Sequence, residues 1–102
     1  MSFVTSVYVQ LPYEMDNQTI VDSINRYLLA NGESSHQLKR LEDYTGGSKH
    51  PQVIMLGGGF NYFPESAPSK LWDYLTSLPW DNPDNVVMIT YREGDEVKVW
   101  RI

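Results

Sequence analysis

Two histidines, thirteen acidic residues and no cysteine are the raw material from which this sequence could build a reactive centre. The missing thiol removes cysteine nucleophiles, thiolate zinc sites and disulfides together. His36 and His50 each flank a turn-like stretch, with no Asp or Glu at the spacing of a metal site and no G-x-S-x-G elbow nearby. They read as solvated loop residues. Acid–base hydrolysis would need two carboxyl groups held in one cleft with their pKa values driven apart. Glu42 with Asp43, or Asp81 with Asp84, are the pairs that offer themselves, but neighbouring acids in polar stretches ordinarily serve solvation or capping. No catalytic residue, metal ligand or cofactor site emerges, and the expectation is a non-enzymatic protein that works by binding.

The most distinctive stretch is Gly57-Gly58-Gly59-Phe60-Asn61-Tyr62-Phe63. Read as a loop that follows a strand ending at Leu56, its amides would cradle an anion and its rings would stack on a base. Gly57, Gly58, Gly59, Phe60, Asn61 and Tyr62 are thus candidates for a nucleotide-binding loop. The stretch matches neither GxxxxGK[ST] nor GxGxxG, and Gly46-Gly47-Ser48-Lys49 is only a fragment of such a loop. In the other reading the glycines allow a tight crossing while Phe60, Tyr62 and Phe63 anchor it to the core.

The elements that must position these residues follow from periodicity. At 102 residues the chain makes one domain, residues 1–102. From Phe3 to Leu11 the side chains alternate, with Phe3, Val7, Val9 and Leu11 on one side and Val4, Tyr8 and Gln10 on the other, as in a strand. Pro12 ends it. Asp16 can cap a helix whose Met15 and Ile20 form a hydrophobic staple and whose stripe is Ile20, Val21, Ile24, Tyr27 and Leu28, with Asn31-Gly32 as its stop. The stretch around Leu38, Leu41 and Tyr44 suits an irregular strand or a helical turn; the strand is preferred. Gly46-Gly47-Ser48 turns the chain into a central strand, Gln52 to Leu56. Ser66, Pro68, Leu71, Trp72, Leu75 and Leu78 then write a second helix that Pro79 closes.

Val86 to Tyr91 and Glu96 to Ile102 make a hairpin through Glu93-Gly94-Asp95, with Arg92 opposite Glu96. The order β-α-β-β-α-β-β predicts an α+β two-layer sandwich, ferredoxin-like, with a mainly antiparallel sheet and two helices on one face. The other face must then meet water or another protein. Tyr91 and Trp100, beside Tyr8, are expected on that face as interface candidates; the competing reading sets them against the core edge or the helices.

Net charge is -5, which disfavours duplex nucleic acid, whose binding depends on neutralising phosphates. The opening residues lack the basic and apolar regions of a signal peptide, and no apolar run is long enough to span a bilayer. A cytoplasmic protein with a protein partner, or a homo-oligomer, is expected. Leu71-Trp72-Asp73-Tyr74-Leu75-Thr76 is locally similar to the inhibitory helix of barstar-type ribonuclease inhibitors, a resemblance that would make Trp72 and Asp73 contact residues. It covers a small part of the chain, the helix order elsewhere differs, and the inhibitory function is not carried over. The opening Met1 to Ser6, Phe60 to Phe63, and Leu78-Pro79-Trp80-Asp81-Asn82-Pro83 together resemble a group of small uncharacterised proteins encoded by actinobacteria and their phages. That resemblance implies no activity; a phage setting would imply host-directed inhibition, counter-defence or self-assembly.

Overall fold

Every second side chain of the first strand is apolar and must leave water, and this decides how the rest of the chain is laid over it. The computed structural model describes residues 4–13, 17–31, 37–41, 53–61 and 63–102. In strand β1, Val4–Pro12, Val7, Val9 and Leu11 are completely buried while Val4 and Tyr8 face outward. The predicted partners Phe3, Met15, Asp16 and Gly32, the turn at 46–48, His36, His50, Glu42, Asp43 and Tyr62 lie outside the described residues.

Helix α1, Asn17–Asn31, buries the expected stripe of Val21, Ile24 and Leu28, with Ile20 and Tyr27 at its margin. Strand β2 is the pair Lys39–Arg40, in line with the preference for a strand there. Strand β3 spans Val53–Asn61, helix α2 Ala67–Ser77, strand β4 Val87–Arg92 and strand β5 Lys98–Arg101. Ser66 sits at the N-cap of α2 and Pro68 in its first turn, where a missing N–H costs nothing. Leu71 and Leu75 face the core, and the indole N–H of Trp80 donates to the Leu75 carbonyl at 2.7 Å, satisfying one of the last-turn acceptors of α2.

The sheet order is β2-β3-β1-β4-β5, with every neighbouring pair antiparallel. This is the expected split βαβ arrangement extended by one C-terminal strand. Val7, Val9, Leu11, Leu56, Phe60 and Met88 share one core with Val21, Ile24 and Leu28 of α1 and Leu71 and Leu75 of α2, so both helices cover the same face. Each such aliphatic side chain contributes about 1.5–3 kcal/mol by leaving water.

Two side-chain devices fasten α1, one to the sheet edge and one to α2. Asn25 of α1 donates its amide to the Leu38 carbonyl at 3.0 Å and accepts the Leu38 N–H at 2.8 Å, treating the residue before β2 as a strand neighbour would. Tyr27 and Tyr74 stack at 4.3 Å between the helices, and the Tyr74 hydroxyl donates to Ser23 Oγ at 3.3 Å.

Two expectations are corrected here. Gly57, Gly58 and Gly59 are not a loop; β3 runs straight through them to Phe60 and Asn61, in register with Tyr8, Val7 and Ser6 of β1. At Gly58 the need is close approach: a Cβ there would come within 2.6 Å of the Gln37 carbonyl oxygen and 2.8 Å of the Phe60 ring. Arg92 forms its ion pair with Glu65 at 2.9 Å, and the β4–β5 ladder ends at the Thr90–Lys98 pair, two steps short of setting Arg92 opposite Glu96.

The three glycines differ sharply in the space around them, since a Cβ on Gly59 would meet nothing nearer than Val4 at 3.8 Å. Gly58→Ala is expected to cost about 1–3 kcal/mol through overpacking. Gly59→Ala leaves stability unchanged or raises it by up to about 1 kcal/mol, because strand glycine carries an entropic cost. Urea unfolding of the two variants against wild type checks the contrast.

Candidate functional site: the open face of the sheet

Register determines which side chains stand on the face the helices leave bare. Tyr8 lies between Gly57 of β3 and Ile89 of β4, and Ile89 lies beside Val99 of β5. One step along, Gln10 lies between Met55 and Val87; one step back, Ser6 lies between Gly59 and Tyr91. Leu41, just past β2, donates its N–H to the Met55 carbonyl at 2.9 Å and lies close to Gly57, across from the Tyr8 ring. The result is a nearly continuous apolar surface at the middle of the sheet. Tyr8 and Tyr91 remain 42% and 43% exposed, and Leu41 and Val99 more so.

Charge is segregated around this surface. None of the five strands contains an Asp or Glu; their charged residues are Lys39, Arg40, Arg92, Lys98 and Arg101. By register Lys39 stands on the open face at one margin, opposite Gly57, and Arg101 at the other, opposite Val87. On this face the cations thus stand at the margins and the apolar side chains at the centre.

Of the sequence candidates, Tyr8 and Tyr91 are brought together on the open face, on adjacent strands. Trp100 is not. It pairs with Met88, whose side chain is buried in the core, so the two-residue period turns the indole to the helix side. There its N–H donates to Thr90 Oγ1 at 3.1 Å and its ring meets Trp72 at 6.3 Å. Trp72 is therefore a half-buried packing residue, while Asp73 is exposed on α2. Asp81 and Asp84 are exposed too. Among the described residues no group of three or more His, Asp or Glu side chains could hold a metal ion, and no helix is long and apolar enough to cross a membrane.

Sequence reasoning missed one feature, a cleft of about 320 Å³ on the helix side, where Thr5, Thr90 and Arg92 meet Phe63 to Glu65 and the end of the β4–β5 hairpin. Its available signal was a threonine at two inward-facing strand positions that otherwise carry apolar side chains.

Comparison with known proteins gives short, partial likenesses. The chain is 30% identical over 79 residues to alanine–tRNA ligases of Listeria welshimeri and of two Listeria monocytogenes strains, a match that takes in 72% of this chain. The chain spans about 9% of the length of those curated relatives, too little to bring their reaction with it. No family model and no solved structure matches.

The contact between Trp72 and Trp100 is a structural one, and a double-mutant cycle of the two alanine variants should return about 0.5–1.5 kcal/mol of coupling in unfolding free energy. Tyr91→Ala, in contrast, should move the stability by less than about 0.5 kcal/mol, the usual range for surface positions.

Proposed function

We propose that this is a non-enzymatic binding protein of the cytoplasm that self-associates as a homodimer by stacking the open faces of two sheets. The observation that carries this reading is the apolar surface centred on Tyr8, Ile89 and Val99, bounded by Lys39 and Arg101 and containing no strand carboxylate. Contiguous exposed apolar surface on a sheet is ordinarily covered by a partner. Five strands about 4.8 Å apart, with central strands of nine residues rising about 3.3 Å each, give a face of at most about 700 Å². A standard interface takes about 800 Å² from each partner, so the sheet with its margins suits a second copy of the same small chain.

A nucleic-acid site would set its cations along the track of the phosphates, whereas here they stand at the margins. The strand placement of Gly57 to Gly59 also leaves the nucleotide reading without its loop. Stacked in this way, a dimer presents its helices outward, with Asp22 and Asp73 exposed. Arg26 and Lys70 are exposed beside them, so the outward side carries both signs, and the likeness to small phage and actinobacterial proteins agrees with a host or partner protein as its target.

Light scattering coupled to size exclusion checks the assembly. The wild type should show twice the 11.8 kDa of one chain. Tyr8→Glu or Ile89→Lys, each placing a charge at the centre of the interface, should weaken the dimer by at least about 100-fold, or about 2.7 kcal/mol. Far-UV circular dichroism should stay native. A monomer in the wild type would exclude self-association and leave a different protein as the partner of this face.

A further inference from the structure

The cleft on the helix side is independent of the dimer face, and its lining is unusual for this molecule. Thr5 and Thr90 are the two buried polar side chains among the described residues, and both line it. The Thr90 hydroxyl accepts the Trp100 indole N–H at 3.1 Å, which leaves its own hydrogen to donate. Phe63, Pro64 and Pro68 form an apolar wall. Around the mouth stand two cations, Arg92 and Lys98, and three carboxylates, Glu65, Asp95 and Glu96.

Arg92 already holds a carboxylate, that of Glu65 at 2.9 Å, so its guanidinium is placed where a carboxylate can be received. The Glu65 side chain is 86% exposed, and an ion pair this open to water is weak and readily exchanged. A ligand with negative charge alone would satisfy Arg92 and Lys98 but face three carboxylates. One with positive charge alone would meet the reverse. A ligand carrying both charges a few ångströms apart satisfies both sets, and the volume of about 320 Å³ lies at the small end of ligand pockets, which run from about 300 to 1,000 Å³.

We propose that this cleft is a binding site for a small zwitterion of the α-amino-acid class. The ligand carboxylate replaces that of Glu65 on Arg92 and accepts from the threonine hydroxyls of the floor. Its ammonium faces Glu65, Asp95 and Glu96, and its side chain lies on Phe63, Pro64 and Pro68.

Two readouts test it on the intact chain. L-alanine, L-leucine and L-phenylalanine are titrated while the melting temperature is followed, since a ligand of the native state raises it with concentration. The Trp100 indole N–H resonance is followed in parallel, because its acceptor lines the cleft. At least one of the three should raise the melting temperature and shift that resonance with the same apparent Kd. For L-leucine, its two halves, isocaproate and isoamylamine, should each bind at least about tenfold more weakly, one charge pairing being lost. Arg92→Gln and Thr5→Val should each weaken binding by a similar factor while unfolding cooperatively. No response to any of the three amino acids would overturn the proposal. So would unchanged affinity in both variants, or isocaproate binding as tightly as L-leucine, which would make this a plain anion site.

Discussion

The fold depends on the alternation along β1. Val7, Val9 and Leu11 are sealed beneath the helices while Tyr8 and Gln10 point away from them. A slip of one residue would exchange the two sets, driving a phenol and an amide into the core and three aliphatic side chains into water. Because β1 is paired over most of its length with both β3 and β4, its register is transmitted to both. Two helices suffice for one face of a five-stranded sheet, so the same alternation that builds the core creates the uncovered surface opposite. The core and the open face thus arise from one sequence pattern, read on its odd and even positions.

Much of this was legible in the residues. The strand period of β1, the apolar stripes of α1 and α2 and the glycine turn of the hairpin imply the element order, and the order implies a two-layer sheet with one bare side. Gly94, with φ of 89°, takes the left-handed conformation that its turn demands. What was not legible depended on contacts between distant segments. Three glycines in a row resemble a loop because glycine alone has little to hold it in a strand. Here the missing side chains are supplied by neighbours, with the Tyr8 ring and Leu41 over Gly57 and the Phe60 ring over Gly58. Trp100 was ambiguous because its face depends on where the ladder begins after the turn, and a difference of one residue reverses the outcome. The cleft draws on β1, β4, β5 and the entrance to α2, so no local pattern could announce it.

Charge is distributed by element rather than evenly. The chain is acidic as a whole, yet the strands carry bases and no acids. Carboxylates fall instead in helices, turns and the hairpin end, among them Asp22, Asp73, Asp95 and Glu96. Within the helices the acids are balanced, Asp22 by Arg26 in α1 and Asp73 by Lys70 in α2, so the unbalanced carboxylates of the described residues stand in the turns and the hairpin end.

The outermost strands have a consequence of their own. β2 is only two residues long, both basic, and β5 begins and ends on a basic residue. Unpaired strand borders recruit further strands into open-ended ribbons, and brevity together with positive charge is how folded chains suppress that growth. With both flanks guarded in this way, the broad apolar side of the sheet is exposed without the hazard of edge-to-edge growth into fibres.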